Sequence, residues 1–200
     1  MTDNSKQDLY DAILKHDLDR ISWLLQHGAD PNGGPDNSMV HSAFGVLDYG
    51  GSIDAIVLLL RYGSQPTGAL PAAIIEKNIE VVRLLLASGA DLDAEDDEGN
   101  SAVKLCVSYG NEEMLRMLLR SGPVRDIDKA GGYSGMNALN TAVYELKLPM
   151  VRLLLKAGAD PLAEDADQQI AYECLPHRDE TNAQVWDEIA ALLPASRRRS

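Results

Sequence analysis

An all-α solenoid of about six helix–turn–helix units, joined by short hairpin-like turns, is expected here on three grounds. One phrase occurs five times. WLLQHGADPN starts at Trp23, LLLRYGSQPT at Leu58, LLLASGADLD at Leu84, MLLRSGPVRD at Met117 and LLLKAGADPL at Leu153. Its glycines, Gly28, Gly63, Gly89, Gly122 and Gly158, are spaced 35, 26, 33 and 36 residues apart, a period typical of stacked repeats. The second ground is composition. The chain is 45% hydrophobic but holds only two Trp, seven Tyr and one Phe, so leucine and alanine supply the core and favour helix on helix. The third is the stripe before each glycine. Ile79, Val81, Val82, Leu84, Leu85 and Leu86 form a helical face wide enough to bury on more than one side.

Each phrase is read as the end of a helix with its stop signal. The glycine fits a C-terminal position that needs positive φ. The stretch after it is equally regular. In DDEGNSAVKLCVSYG (96–110), turn residues lead to Ser101 as N-cap and a short helix that ends near Gly110. A unit is therefore turn, short helix, second helix and glycine stop. One pair of helices cannot cover its own apolar faces, whereas stacked pairs bury a continuous core.

These residues carry a resemblance to ankyrin repeats, whose unit is a β-turn plus two helices opened by a Thr-Pro-Leu-His-x-Ala phrase. Ser38-Met39-Val40-His41-Ser42-Ala43 follows that phrase closely. Ser101-Ala102-Val103-Lys104-Leu105-Cys106 and Asn137-Ala138-Leu139-Asn140-Thr141-Ala142 follow it more loosely. The resemblance spans about residues 7–194. It divides the chain into one array of units at about 1–32, 33–66, 67–93, 94–126, 127–161 and 162–194, with 195–200 as a basic flexible tail. The first helix starts near Lys6. Unit two carries extra residues before Gly51. Unit three lacks most of the turn, which is expected to split or bend the binding face. Unit five has an enlarged glycine-rich tip, KAGGYSGMN. Unit six is degenerate, and its last helix, Ala183–Leu193, is expected to cap the array through Trp186, Ile189, Leu192 and Leu193.

Catalytic and metal chemistry find little support. The acids of DLDAEDDEG (91–99) fail the calcium-loop pattern that would start at Asp93, with Glu95 and Asp97 as further ligands. Glu98 and Lys104 stand where glycine and glutamate are needed. His16, His27, His41 and His177 form no HxxxH or HExxH pair, and neither Cys106 nor Cys174 lies in a CxxC. The resemblance implies that His41 makes a structural hydrogen bond to its turn, and that Cys106 replaces a buried alanine. GGYSG (131–135) lacks the Lys-Ser/Thr ending of a phosphate loop. No cofactor, no metal and no enzymatic activity are expected.

The resemblance implies that Tyr49, Tyr109 and Tyr144, at the ends of first helices, face the concave surface that binds partners, with Tyr133 and Met136 in the enlarged tip. Asp48, Asp97, Glu98, Asn100 and Glu145 complete the candidate partner-binding set. Tyrosine gives large contact area at little rotamer cost, although such rings also simply cover short helix ends.

The formal charge of −13 disfavours nucleic acid and anionic membrane and attracts a basic protein, while also favouring solubility. No apolar run approaches the ~20 residues of a membrane span. A polar N-terminus and two cysteines suggest a reduced, cytoplasmic setting. The expected function is non-catalytic capture, and inhibition, of a basic partner by a chain that is monomeric when free. In size and charge it is similar to ankyrin-repeat immunity proteins that neutralise bacterial toxins. A scaffold or adaptor that holds its partner without inhibiting it is the alternative.

Overall fold

The computed structural model describes residues 4–32, 53–66 and 68–195. The segment expected to hold the first helix of the second repeat, with His41, Asp48, Tyr49 and Gly51, lies outside these residues, as do Arg197–Arg199 of the basic tail. Ten α-helices are described: α1 Asn4–Leu14, α2 Leu18–Gln26, α3 Ile53–Arg61, α4 Ala69–Ile75, α5 Ile79–Ala87, α6 Ala102–Ser108, α7 Glu112–Ser121, α8 Ala138–Tyr144, α9 Leu148–Ala157 and α10 Ala183–Ala190. Among the described residues the extended pairing is a single isolated bridge, Glu95 with Ser101. The chain forms two compact units, Met1–Ala94 and Glu95–Ser200.

The helix pairs share one turn geometry. A residue in the left-handed region ends the first helix, and the next residue caps the second. His16, Lys77, Gly110 and Leu146 have φ of 57°, 56°, 68° and 55°. The caps that follow donate their backbone N–H to Ala12, Ala73, Cys106 and Ala142, at 3.0, 3.0, 2.9 and 2.9 Å. Asp17, Asn78 and Asn111 also accept from the N–H three residues on, at 2.9, 3.1 and 3.0 Å. Cys106 thus stands in register with three alanines, in a place that a small side chain fits. It is 0% exposed.

In the first compact unit, α1 packs on α2, α2 on α3, α3 on α5, and α4 on α5. Its core is Leu9, Ile13, Ile21, Ile56, Leu59, Leu70, Ile74 and Leu85, all buried. In the second, α6 packs on α7 and α8, α8 on α9, and α9 on α7 and α10. Met114, Leu115, Leu118, Val151 and Leu154 fill that core.

Four of the five phrase glycines do end a helix in the left-handed region: Gly28, Gly63, Gly89 and Gly158 have φ of 87°, 88°, 79° and 100°. Gly122 does not. Its φ of 167° is extended backbone, because it precedes Pro123 and a residue before proline is pushed out of the helical regions. The sixth repeat also departs from expectation. Its first helix shrinks to a 3-10 turn, Ala171–Cys174, after which Leu175 is extended with ψ of 129°. Pro176 follows Leu175 and imposes the same restriction. The last helix stops at Ala190 rather than Leu193. Ile189 within it and Leu193 beyond it are buried, Trp186 is half-buried and donates Nε1–H to the Pro176 carbonyl at 2.9 Å, and Leu192 is 40% exposed.

Candidate functional site: the hairpin tips and helix ends of the second compact unit

Three hairpins lead into the inner elements of this unit. In the first, Asp96 Oδ1 accepts the N–H groups of Glu98 and Asn100 at 3.0 and 2.8 Å, and Asp96 N–H bonds the Asn100 carbonyl at 3.1 Å. The third repeats this with Asp165, whose Oδ1 accepts from Asp167 and Gln169 at 2.9 and 3.0 Å. A short carboxylate that bonds the backbone two residues on is a turn-forming device. The middle hairpin closes between Gly131 N–H and the Met136 carbonyl at 3.3 Å, a span one residue longer than its neighbours.

Close backbone contact locks the middle tip between the other two. A Cβ on Gly131 would lie 2.0 Å from the Gly99 carbonyl oxygen, and one on Gly132 2.0 Å from Asn100 Oδ1. On the other side, a Cβ on Gly135 would lie 2.6 Å from the Ala166 Cβ, and Ala166 N–H donates to the Gly135 carbonyl at 3.0 Å. Lys129 pairs with Glu95 across the first gap.

Buried polar side chains on the short helices complete the lock. Lys104, 3% exposed, donates from Nζ to the Gly131 carbonyl and to Ser134 Oγ, the latter at 3.0 Å. Burial pulls its pKa below the usual lysine value, against the raising effect of Asp96 and Glu98. Asn140 occupies the same position one repeat later. Its Nδ2 donates to Asp165 Oδ2 at 3.1 Å and to the Gln169 carbonyl at 3.0 Å, while its Oδ1 has no protein partner. Neither residue was expected to have this role. The signal was present, since each stands where the opening phrase of the second repeat has His41.

The candidate binding residues fall into two clusters. Asp97, Glu98, Asn100, Tyr133 and Met136 lie on the hairpins. Tyr109 caps the C-terminus of α6, Tyr144 ends α8 and Glu145 caps it. Lys147 ties the second cluster together, pairing with Glu145 and donating to the Val107 carbonyl at 2.6 Å. One seven-residue helix separates the clusters, about 10 Å at 1.5 Å per residue. Ala102–Val107 and Ala138–Val143 are wholly buried between them. Contact surface is therefore available at the helix ends and not along their middles.

Tyr133 is 93% exposed, Tyr144 56% and Tyr109 40%. Asp97 and Glu98 are exposed and Met136 is half-buried, whereas the Asn100 amide is engaged by Asp96 Oδ2 at 2.9 Å. The middle tip, Gly131–Met136, bears no charge, yet Glu95–Glu98 on one side holds four acids and Glu164–Asp167 on the other holds three. The arrangement is a protruding ring set between acidic neighbours.

The cysteines lack nucleophilic character. Burial pushes the Cys106 thiol up to about 12, and burial with the nearby Asp165 carboxylate does the same to Cys174. Among the described residues no group of three His, Cys, Asp or Glu side chains is placed to hold a metal. Nor is any helix among them long and apolar enough to cross a membrane.

Residues 70–165 match the family model for ankyrin repeats in three copies. The chain is 33% identical to the rat nuclear factor NF-kappa-B p105 subunit over 58% of its own length, and spans 12% of that protein. It is 28% identical to human NF-kappa-B inhibitor zeta over 70% of its length, spanning 20% of that protein. It is 32% identical to a putative ankyrin repeat-containing protein of Treponema pallidum over 58% of its length, spanning 40%. It therefore spans well under half of each of these relatives. Among solved structures, the ankyrin repeat protein EF0377 superposes with a TM-score of 0.72 at 20% identity, covering 94% of this chain and 98% of that one. The human ASB11 ankyrin repeat domain gives 0.65 at 19% identity, covering 92% and 81%. With the helix pairs, the left-handed stops and the locked hairpins, these matches make the chain an ankyrin-repeat protein.

Proposed function

We propose that this protein captures a basic partner protein on the hairpin tips and helix ends of its second compact unit, and inhibits it by occupying its surface. At the coarser level, ankyrin repeats indicate a protein–protein interaction module, of a family that is typically non-catalytic. The observation that carries the finer reading is the uncharged Tyr133 tip held between two acidic tips. An exposed ring supplies contact area and flanking acids attract and orient a cationic surface. One relative is named an inhibitor, the human NF-kappa-B inhibitor zeta, which lends support to inhibition. An immunity-type role against a toxin is one form of this reading. A scaffold that leaves its partner active is the other, and the buried middles of α6 and α8 suit either.

The test is affinity capture on the immobilised full chain, followed by titration of the captured partner's own activity. Tyr133→Ala and Tyr144→Ala are expected to weaken binding, each by about 2 kcal/mol, over tenfold in Kd. Asp97→Asn with Glu98→Gln is expected to slow association and flatten its salt dependence. Glu180→Gln, an exposed acid near α10, is the control. Equal effects from Glu180 and the Asp97/Glu98 pair would reduce the acids to bulk charge. Full partner activity in the saturated complex would replace inhibition by scaffolding.

A further inference from the structure

The second helices of the same unit carry a patch of opposite sign. A cleft of about 210 Å³ lies between α7 and α9, lined by Arg116, Leu119, Arg120, Leu153, Lys156 and Ala157. Leu119 and Leu153 are half-buried there and Ala157 is exposed. Arg116 shares its charge with Glu112 one turn earlier, at 3.0 Å. Arg120 and Lys156 are exposed and have no carboxylate partner among the described residues. They occupy one register of the repeated phrase, two residues before Gly122 and Gly158, so stacking the repeats brings them together on adjacent helices.

We propose that this cleft docks an acidic amphipathic segment of a partner protein, with carboxylates on Arg120 and Lys156 and an apolar side chain against Leu119 and Leu153. Charge complementarity selects the sign of the occupant. The net charge of −13 selects its amphipathic character. At long range that field repels any polyanion, so a ligand held by charge alone is disfavoured and apolar contact inside the cleft must contribute. The cleft uses none of the residues of the hairpin tips, so the two surfaces stand or fall separately. A chain with both would bridge a basic and an acidic partner.

Arg120 and Lys156 also sit in the last turns of their helices, where cations complement the helix dipole. The experiment separates that role from docking. The full chain is titrated by fluorescence anisotropy with three probes: a helical peptide with leucines between glutamates one turn apart, an all-glutamate peptide of equal charge, and inorganic phosphate as competitor. Arg120→Ala/Lys156→Ala removes the cations, and Ala157→Trp fills the cleft while leaving every charge in place. The expected result is preferential binding of the leucine-bearing peptide, weakened by either variant, and up to about tenfold by the double variant, which removes two exposed ion pairs. Equal binding of both peptides, displacement by phosphate alone, or unchanged affinity in Ala157→Trp would overturn the proposal. So would an effect of the double variant confined to melting temperature.

Discussion

The glycines that stop second helices and the glycines of the middle hairpin tip are the same residue used for two different reasons. Around Gly28, Gly63 and Gly89 there is open space, and an added Cβ would meet nothing within 4 Å. What demands glycine there is a backbone φ of 79–88°. At Gly131 the demand is external, because the neighbouring Gly99 carbonyl occupies the space a side chain would need. The first requirement belongs to one helix end. The second belongs to the stacking of one repeat on another, so substitutions at the two kinds of site should differ in size and in what fails.

The largest effect is expected from Gly131→Ala. A contact of 2.0 Å with backbone cannot be relieved by moving a side chain. The hairpin must shift, at a cost of about 3 kcal/mol, the upper end of overpacking costs. Chemical denaturation should show it, and amide exchange should show the loss centred on the three hairpins. A cost below that of Gly89→Ala would break the comparison.

Lys104→Met comes next, at about 2 kcal/mol. It removes two hydrogen bonds from a charged donor that pin the tip from beneath. The same variant carries a pH signature. Burial lowers the folded-state pKa of Lys104, so between that value and the unfolded value of 10.5 the unfolded chain binds more protons. Its contribution to stability is fully present above the unfolded pKa and is lost as pH falls through the folded one. The stability difference between wild type and Lys104→Met should therefore grow with rising alkaline pH. A difference independent of pH would mean that Lys104 titrates as if exposed.

Gly89→Ala should cost about 1 kcal/mol, the strain of a left-handed alanine in open space. The converse, His16→Gly, places glycine where an exposed residue has φ of 57° and should stabilise by a few tenths of a kcal/mol, strain relief being partly offset by backbone entropy. Smallest of all is Tyr133→Ala. A ring 93% exposed holds nothing in place, so the melting curve should move within about 0.5 kcal/mol, and binding alone should respond. Destabilisation comparable to Gly131→Ala would make Tyr133 part of the tip's packing.

Helix ends and helix pairs were legible because their causes are local. Ser101 caps α6, accepting the Lys104 N–H at 3.3 Å, as its place in the phrase implies. Even the two departures had local causes in view, Pro123 after Gly122 and Pro176 after Leu175. The candidate site was legible only in part. Tyr109 and Tyr144 could be placed at helix ends by repeat position. Their separation from the Tyr133 tip by the buried length of a short helix could not, nor could the use of the Asn100 amide inside its own hairpin.

By itself the sequence determined the period, the regular helix pairs, the Ser101 cap and four of the five glycine stops, since each follows from dihedral preference or periodicity within a few residues. Tertiary structure alone decided which glycines exclude a side chain, why a lysine and an asparagine are buried at equivalent positions, and that cations from adjacent repeats line one cleft. Those facts depend on atoms some thirty residues apart, as Lys104 and Ser134 are, brought within 3 Å by the stacking of one repeat on the next.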